Sequence, residues 1–249
     1  MQDRIETKDF QKQWRERFET FADSHDNDAG IAGWSPTGLD ARFRHFVKRW
    51  KIGTNGSVWL DAGCGAGTYS RFMAEHGAKV IGIDYSVPSL IKAKQRSPDI
   101  MGWSAGDVTS LPLKDGYFDG VVCFGVTQAL TDSAGAAAEL LRIVRPNGTI
   151  WVDALNAHCL PHIVERLRMK LKNKPLNMRY EYPSALCATI EKAGGKNVQL
   201  HWLPILPQRW QTMQWLVETP IMNWMFQHVP FFGTLFSHAF VVSANRSGT

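Results

Sequence analysis

The stretch SVWLDAGCGAGTYSRFMAEHGAKVIGID, residues 57–84, decides how the chain is read. Val58, Trp59 and Leu60 form a short apolar run ending in Asp61, glycines then alternate at Gly63, Gly65 and Gly67, and Thr68 to His76 carry a helical pattern. The order is strand, tight turn, helix. Glycine admits positive φ and puts no Cβ in the way of a ligand, so three at alternate positions mark a close approach to the backbone. Amides free at the start of the helix can face a negatively charged group. A second apolar run, Lys79 to Ile83, ends in Asp84, whose carboxylate at a strand tip suits the two hydroxyls of a ribose. Turns also collect glycine for purely structural reasons, and the acidic strand end at Asp84 is what favours a nucleotide site here.

The glycine spacing separates cofactors. A dinucleotide fingerprint G-x-G-x-x-G starting at Gly63 requires glycine at position 68, where Thr68 stands. Asp61-Ala-Gly63-Cys-Gly65-Ala-Gly67 instead resembles the D/E-x-G-x-G-x-G loop of the class I (Rossmann-like) S-adenosylmethionine-dependent methyltransferases, of the small-molecule type 11 kind. The resemblance implies S-adenosyl-L-methionine as cofactor and no metal. It places Asp61, Gly63, Cys64, Gly65 and Gly67 in the cofactor loop, with Asp84 and Tyr85 beside them. In that family an acidic residue just past the third strand binds the adenine amino group, which points to Asp107, with Val108 adjoining. Phe124, at the end of the fourth strand, falls where the family faces the transferring methyl group. The phrase LLRIVRPNGTIWV, residues 140–152, looks like the family's helix, L-x-P-G-G turn and strand, with Asn147 in place of the first glycine. Asparagine also reaches left-handed conformations. The motifs cover about residues 55 to 155, and the flanks match in layout alone.

Five alternations of strand and helix over that span predict a doubly wound α/β sheet with its ligand at the carboxyl ends of the strands. Two further strands, Asn197 to Leu203 and His238 to Ala244, make seven, and the resemblance makes the last one antiparallel. We read residues 1–249 as a single methyltransferase domain: a helical arm over 1–50, the cofactor core over 55–155, and acceptor-side insertions at 160–182 and 204–237. The arm holds Trp14, Phe18 and Phe21 at helical spacing, then the polar patch His25 to Asp28.

Composition sets outer limits. The chain has 249 residues, 44% of them hydrophobic, enough for one sizeable core. Its 28 Lys and Arg against 23 Asp and Glu give a formal charge of +5, too mild for a dedicated nucleic-acid binder. Four cysteines without a C-x-x-C pair support neither a zinc knuckle nor a redox dithiol. With no apolar signal-peptide core and no run of about eighteen apolar residues, a soluble cytoplasmic protein is expected.

Two segments outside the core concern the acceptor. Leu160 to Arg179 holds six cations opposed by Glu165 alone, which reads as a solvated face, a lid over an anionic acceptor, or a peripheral membrane contact. Pro204 to Phe236 crowds large apolar side chains around one Arg and one Glu, with four prolines breaking it into short helices. It is expected to wall an acceptor pocket, with Trp215 and Trp224 as contacts.

Methyl transfer from a sulfonium needs chiefly an in-line approach and the exclusion of water. A base helps if the acceptor is a hydroxyl. Gln128, Asp153 and His158, past the ends of the fourth and fifth strands, are the candidates, His158 being the conventional base among them. The expected activity is S-adenosylmethionine-dependent methylation of a small-molecule or lipid-like acceptor at oxygen or carbon. The competing readings are a nicotinamide oxidoreductase, disfavoured by Thr68, and a methyltransferase-like binding subunit without activity. Acceptor identity and oligomeric state are not written in the sequence.

Overall fold

The computed structural model describes residues 7–50 and 55–248. Helices α1 (Thr7–Ser24), α2 (Asp28–Ile31) and α3 (Pro36–Val47) precede the sheet. Ser35 starts α3, its Oγ accepting the Gly38 amide at 3.1 Å with Pro36 in the first turn. Then come β1 (Val58–Ala62), α4 (Thr68–Glu75), β2 (Lys79–Asp84), α5 (Val87–Arg96), β3 (Gly102–Ala105), β4 (Phe118–Cys123), α6 (Ala134–Ile143) and β5 (Val144–Leu155). After α7 (Leu160–Leu171) and α8 (Pro183–Lys192) follows β6 (Gly195–Leu203). Short helices α9 (Gln214–Val217), α10 (Pro220–His228) and α11 (Phe232–Phe236) lead to β7 (Ala239–Arg246).

The strands form one sheet in the order β3-β2-β1-β4-β5-β7-β6. β1 to β5 pair in parallel, whereas β7 runs antiparallel to both β5 and β6. Reversal of strand order beside β1 opens a crevice at its carboxyl end, where ligands of open α/β sheets bind. The core residues of β1, β4 and β5 are buried on both faces. Leu60, Val121 and Ile150 pack with Leu140, Ile143 and Phe240 on one side, and Trp59, Val122 and Trp151 with Phe46 and Tyr69 on the other. Central parallel strands covered twice read as continuous apolar runs, which is why they were legible.

Most boundaries fall within two residues of the sequence reading. α3 lies three residues earlier than its pattern Leu39 to Trp50 places it, and β5, read from the sequence as starting at Thr149 after the turn, begins at Val144, because the Arg145 to Gly148 turn is taken up as an irregularity between Phe118 and Gly120 of β4. Asn147 sits at φ 63°, the left-handed conformation expected where the family turn carries glycine. Gly148 allows no Cβ, since Asp119 O would lie 2.7 Å from it.

Candidate active site: a glycine loop under a helical roof

β1 delivers the chain to the three-glycine loop, and two hydrogen bonds fold that loop onto β2: the amides of Gly63 and Cys64 both donate to Ile83 O, at 2.7 and 3.0 Å. Gly63, Gly65 and Gly67 have φ of 77°, 51° and 80°, a region that other residues rarely occupy. Their reasons differ. A Cβ on Gly63 would lie 2.2 Å from the Val126 side chain and one on Gly67 would lie 2.7 Å from the Trp103 ring, so both are required by packing. A Cβ on Gly65 would meet nothing within 4 Å. Gly65 therefore bares backbone to open space.

That space is a cavity of about 580 Å³. Gly63, Cys64 and Gly65 line it, together with Asp84 and Tyr85 from the end of β2, Asp107 and Val108 past β3, and Phe124 past β4. Asp84 is buried, and its two oxygens accept separate amides: Gly65 N on Oδ2 and Ser86 N on Oδ1, each at 2.8 Å. Burial pushes its carboxyl above the ordinary range while these amides pull it back. A carboxylate has about four lone-pair sites, so these amides still leave it room to accept from a ligand hydroxyl. Asp107 accepts the Thr109 amide and hydroxyl on Oδ1, at 2.8 and 2.7 Å, which fixes its carboxylate past the tip of β3, the strand beside β2.

Asp61 and Gly67, expected at the cofactor, do not line the cavity. Asp61 is buried beneath the loop and accepts the Ser70 amide and hydroxyl, at 3.1 and 2.6 Å. It caps the first turn of α4 from below and so holds the loop by its far end. Burial raises its pKa to about 7.

Helices α1 to α3 and the turns between them form the roof. Phe18 of α1, Asp28 and Ile31 of α2, then Trp34 and Leu39 of α3 and its approach face the cavity. Asp28 is the clasp: its Oδ2 accepts Thr68 Oγ1 at 2.6 Å and pairs with Arg71, and its Oδ1 accepts Arg96 Nη1 at 2.8 Å. Deeper in, Arg42 donates from Nε to Asp153 Oδ2 at 2.8 Å, both side chains nearly inaccessible, and the guanidinium lies 4.3 Å from the Trp34 ring centroid. Gly125 N donates to the other Asp153 oxygen at 2.6 Å. Two buried polar atoms at the cavity walls, Trp34 Nε1 and Tyr69 Oη, have no hydrogen-bond partner. Such atoms cost roughly 1–3 kcal/mol each when left unmade and mark places where a ligand or water completes the bond.

The remaining expectations are corrected by this geometry. Asp153 is committed to Arg42 and Gly125, so it is a structural anion rather than a free base. Gln128 is buried off the cavity, and its carbonyl accepts the Arg179 amide at 3.1 Å. His158 packs edge-on against Tyr182 with ring centroids 4.9 Å apart, also off the cavity. Trp215 and Trp224 are 65% and 57% exposed, and no residue of 204–236 lines the cavity. The cavity walls that sequence reasoning did not name are Ile31, Trp34, Leu39 and Tyr69. Phe43, Phe46 and Trp50 recur at helical spacing, which announces a packed helix but not which side meets a ligand.

A glycine loop at the tip of β1, a ribose-ready carboxylate at the tip of β2 and a seven-stranded sheet with an antiparallel β7 define the class I S-adenosylmethionine-dependent methyltransferases. Residues 60–152 match the family described as methyltransferase domain. A demethylmenaquinone methyltransferase of Beutenbergia cavernae is 39% identical over 94 residues, covering 37% of this chain and 38% of that protein. A malonyl-[acyl-carrier protein] O-methyltransferase of Serratia marcescens is 37% identical over 110 residues, covering 43% and 42%. The matched segments thus span about two fifths of those relatives. Among solved structures, Haemonchus contortus phosphoethanolamine N-methyltransferase 2 with phosphomonomethylethanolamine and S-adenosylhomocysteine superposes with a TM-score of 0.68. It is 16% identical, covering 98% of this chain and 60% of that one, which speaks to the fold.

Proposed function

We propose that the protein transfers the methyl group of S-adenosylmethionine to a small, largely apolar or lipid-like acceptor, at oxygen or carbon. The observation that carries this reading is the open face of Gly65 above the Asp84 carboxylate, at the head of a cavity that continues under an aromatic roof. The cofactor, when bound, supplies an electrophilic methyl on a sulfonium whose departure leaves a neutral thioether. Asp84 holds the ribose hydroxyls, Asp107 the adenine amino group, and the Gly65 backbone lies against the bound molecule with no side chain between. Phe124, Val126 and Tyr69 wall the space beyond, and the roof of Ile31, Trp34 and Leu39 excludes water from it.

The walls also bear on the acceptor. Among the described residues no histidine lines the cavity, and its aspartates are Asp28, Asp84 and Asp107, already committed to the clasp and the cofactor end. Burial drives the Tyr69 phenol further above its ordinary range, which suits it to donate a hydrogen bond and not to take a proton. This favours an acceptor that loses its proton readily, such as a carboxylate oxygen or the carbon of an electron-rich ring, over an unactivated alcohol. The relatives named above act, by their names, on demethylmenaquinone and on malonyl-[acyl-carrier protein]. Trp34 Nε1 and Tyr69 Oη are the groups we assign to the acceptor's polar end.

Calorimetry with S-adenosylmethionine and with a nicotinamide dinucleotide, followed by a methyl-transfer screen over quinol-type and carboxylate-type acceptors, tests the reading. Binding of the first nucleotide and turnover on one acceptor class support it. Binding of the dinucleotide alone overturns it. Tight cofactor binding without turnover on any acceptor would assign the fold to the binding subunit instead.

A further inference from the structure

Helix α7 is built in a way that the cavity does not explain. Leu160, Val164, Leu167 and Leu171 recur at spacings of four, three and four, which puts them on one face of a helix. All four are exposed, at 41, 63, 56 and 86%. The helix is fastened from the opposite face by its one buried residue, His162, whose Nδ1 meets Asn156 O at 2.8 Å and whose Nε2 meets His238 Nδ1 at 3.1 Å. An amphipathic helix normally turns its apolar stripe to the core; α7 turns its stripe away. Arg168 and Lys170 flank that stripe on its two sides, and Lys172 and Lys174 extend the charge past its end, all four exposed. Glu165 is the single acid of the helix, 3.8 Å from Arg168.

A second apolar surface is rooted at the same place. The Asn156 side-chain amide donates to Thr234 O and Ser237 O, both at 2.8 Å, so that α11 and α7 hang from one asparagine. The segment ending there exposes Trp215, Ile221, Trp224, Phe231 and Phe236 at 53 to 74%. Phe231 takes φ 62°, a strained conformation for a bulky residue, and stands 74% exposed at the turn between α10 and α11. Both surfaces leave the sheet at the carboxyl end of β5 and the start of β7, the end of the sheet that carries the cavity.

We propose that α7, assisted by the exposed aromatic segment 210–236, is an interfacial docking surface that seats the protein on an anionic lipid bilayer. An apolar stripe rimmed by cations is the pattern that lies in the headgroup plane, the stripe among acyl chains and the cations on anionic lipids. Exposed tryptophans belong to the same layer. The charge selects the occupant: a second copy of this chain would bring Arg168, Lys170 and Lys172 against their own kind, and a nucleic acid offers nothing to a leucine stripe. The placement brings a lipid surface to the end of the sheet from which an apolar acceptor enters, while the docking itself stands apart from what the cavity methylates. No helix among the described residues is long and apolar enough to cross the bilayer, so attachment is from one side.

The test is co-sedimentation of the full chain with phosphatidylcholine vesicles, with and without phosphatidylglycerol, at low and raised salt. Two variants accompany it, Lys170→Glu with Lys172→Glu and Lys174→Glu, and Leu167→Glu with Leu171→Glu, each checked for unchanged thermal unfolding. All five sites are exposed, so the variants are expected to fold. Preference for phosphatidylglycerol, weakened by salt, is expected, with on the order of a hundredfold loss for the lysine variant and at least tenfold for the leucine variant. Equal partitioning onto neutral vesicles, or equal binding by wild type and both variants, overturns the proposal. Absence of vesicle binding does the same, and a self-association lost in the leucine variant would then hand the face to a second copy.

Discussion

The Asp84 carboxylate accepts the Gly65 amide at 2.8 Å, so the residue that closes β2 also fixes the one loop glycine whose missing side chain opens onto the cavity. Two parts of the site nineteen residues apart in sequence are thereby one unit. Asp84→Ala loses the ribose contact and frees the loop together. We expect S-adenosylmethionine affinity to fall tenfold or more by calorimetry, the scale of hydrogen bonds to a charged acceptor, about 1.5–3 kcal/mol. Unchanged affinity would remove Asp84 from the cofactor site.

The three loop glycines separate by experiment. Gly65→Val puts a branched side chain into open space at φ 51°, and is expected to abolish cofactor binding at a modest cost in stability. Gly63→Ala drives a methyl group into Val126 and should lower the unfolding temperature by several degrees. Thermal melts beside calorimetry distinguish the two. A Gly65→Val protein that binds normally would show that the loop does not carry the cofactor.

Asp61 makes stability depend on pH. Its pKa is about 7 in the fold against 3.8 when unfolded, so between those values the native state binds the proton that the unfolded chain has released. The protonated form's advantage is full below about pH 4, is lost as pH rises, and is gone above about 7, at roughly 1.4 kcal/mol per unit. Asp61→Asn has no such proton to lose. Urea unfolding from pH 4 to 8 should show the wild type losing stability relative to the variant as pH rises; parallel curves would contradict the linkage.

Trp34→Phe and Tyr69→Phe each delete one orphaned polar atom while keeping a ring in place. With the acceptor returned by the screen, KM should rise about two- to tenfold and cofactor affinity should hold, as expected for about 0.5–1.5 kcal/mol per bond. Trp215→Ala and Trp224→Ala, exposed and away from the cavity, should leave acceptor kinetics in solution unchanged. The reverse pattern would restore segment 204–236 as the acceptor wall.

What could be read from the sequence was local and periodic. β1, β2 and the loop between them are contiguous, and the chemistry of Gly65 and Asp84 follows from their places at a turn and a strand end. Asn147 announced its own left-handed turn. What could not be read depended on long-range pairing: Asp28 gives no sign that it will meet Thr68, Arg71 and Arg96, and Asp153 none that Arg42, 111 residues earlier, will neutralise it. Aromatic density around Trp215 and Trp224 said that apolar surface existed but not which way it would face. The same composition serves a pocket or a docking surface, and only the fold decides between them.

The roof is held by two fastenings of different kind. At α2 it is a cluster of charges around Asp28, each side chain 22 to 27% exposed; at α3 it is an inaccessible pair, Arg42 with Asp153, backed by the Trp34 ring. Dissolved ions weaken the first and scarcely reach the second. Raising ionic strength therefore loosens the roof from one end, over the glycine loop, and leaves it shut over Trp34.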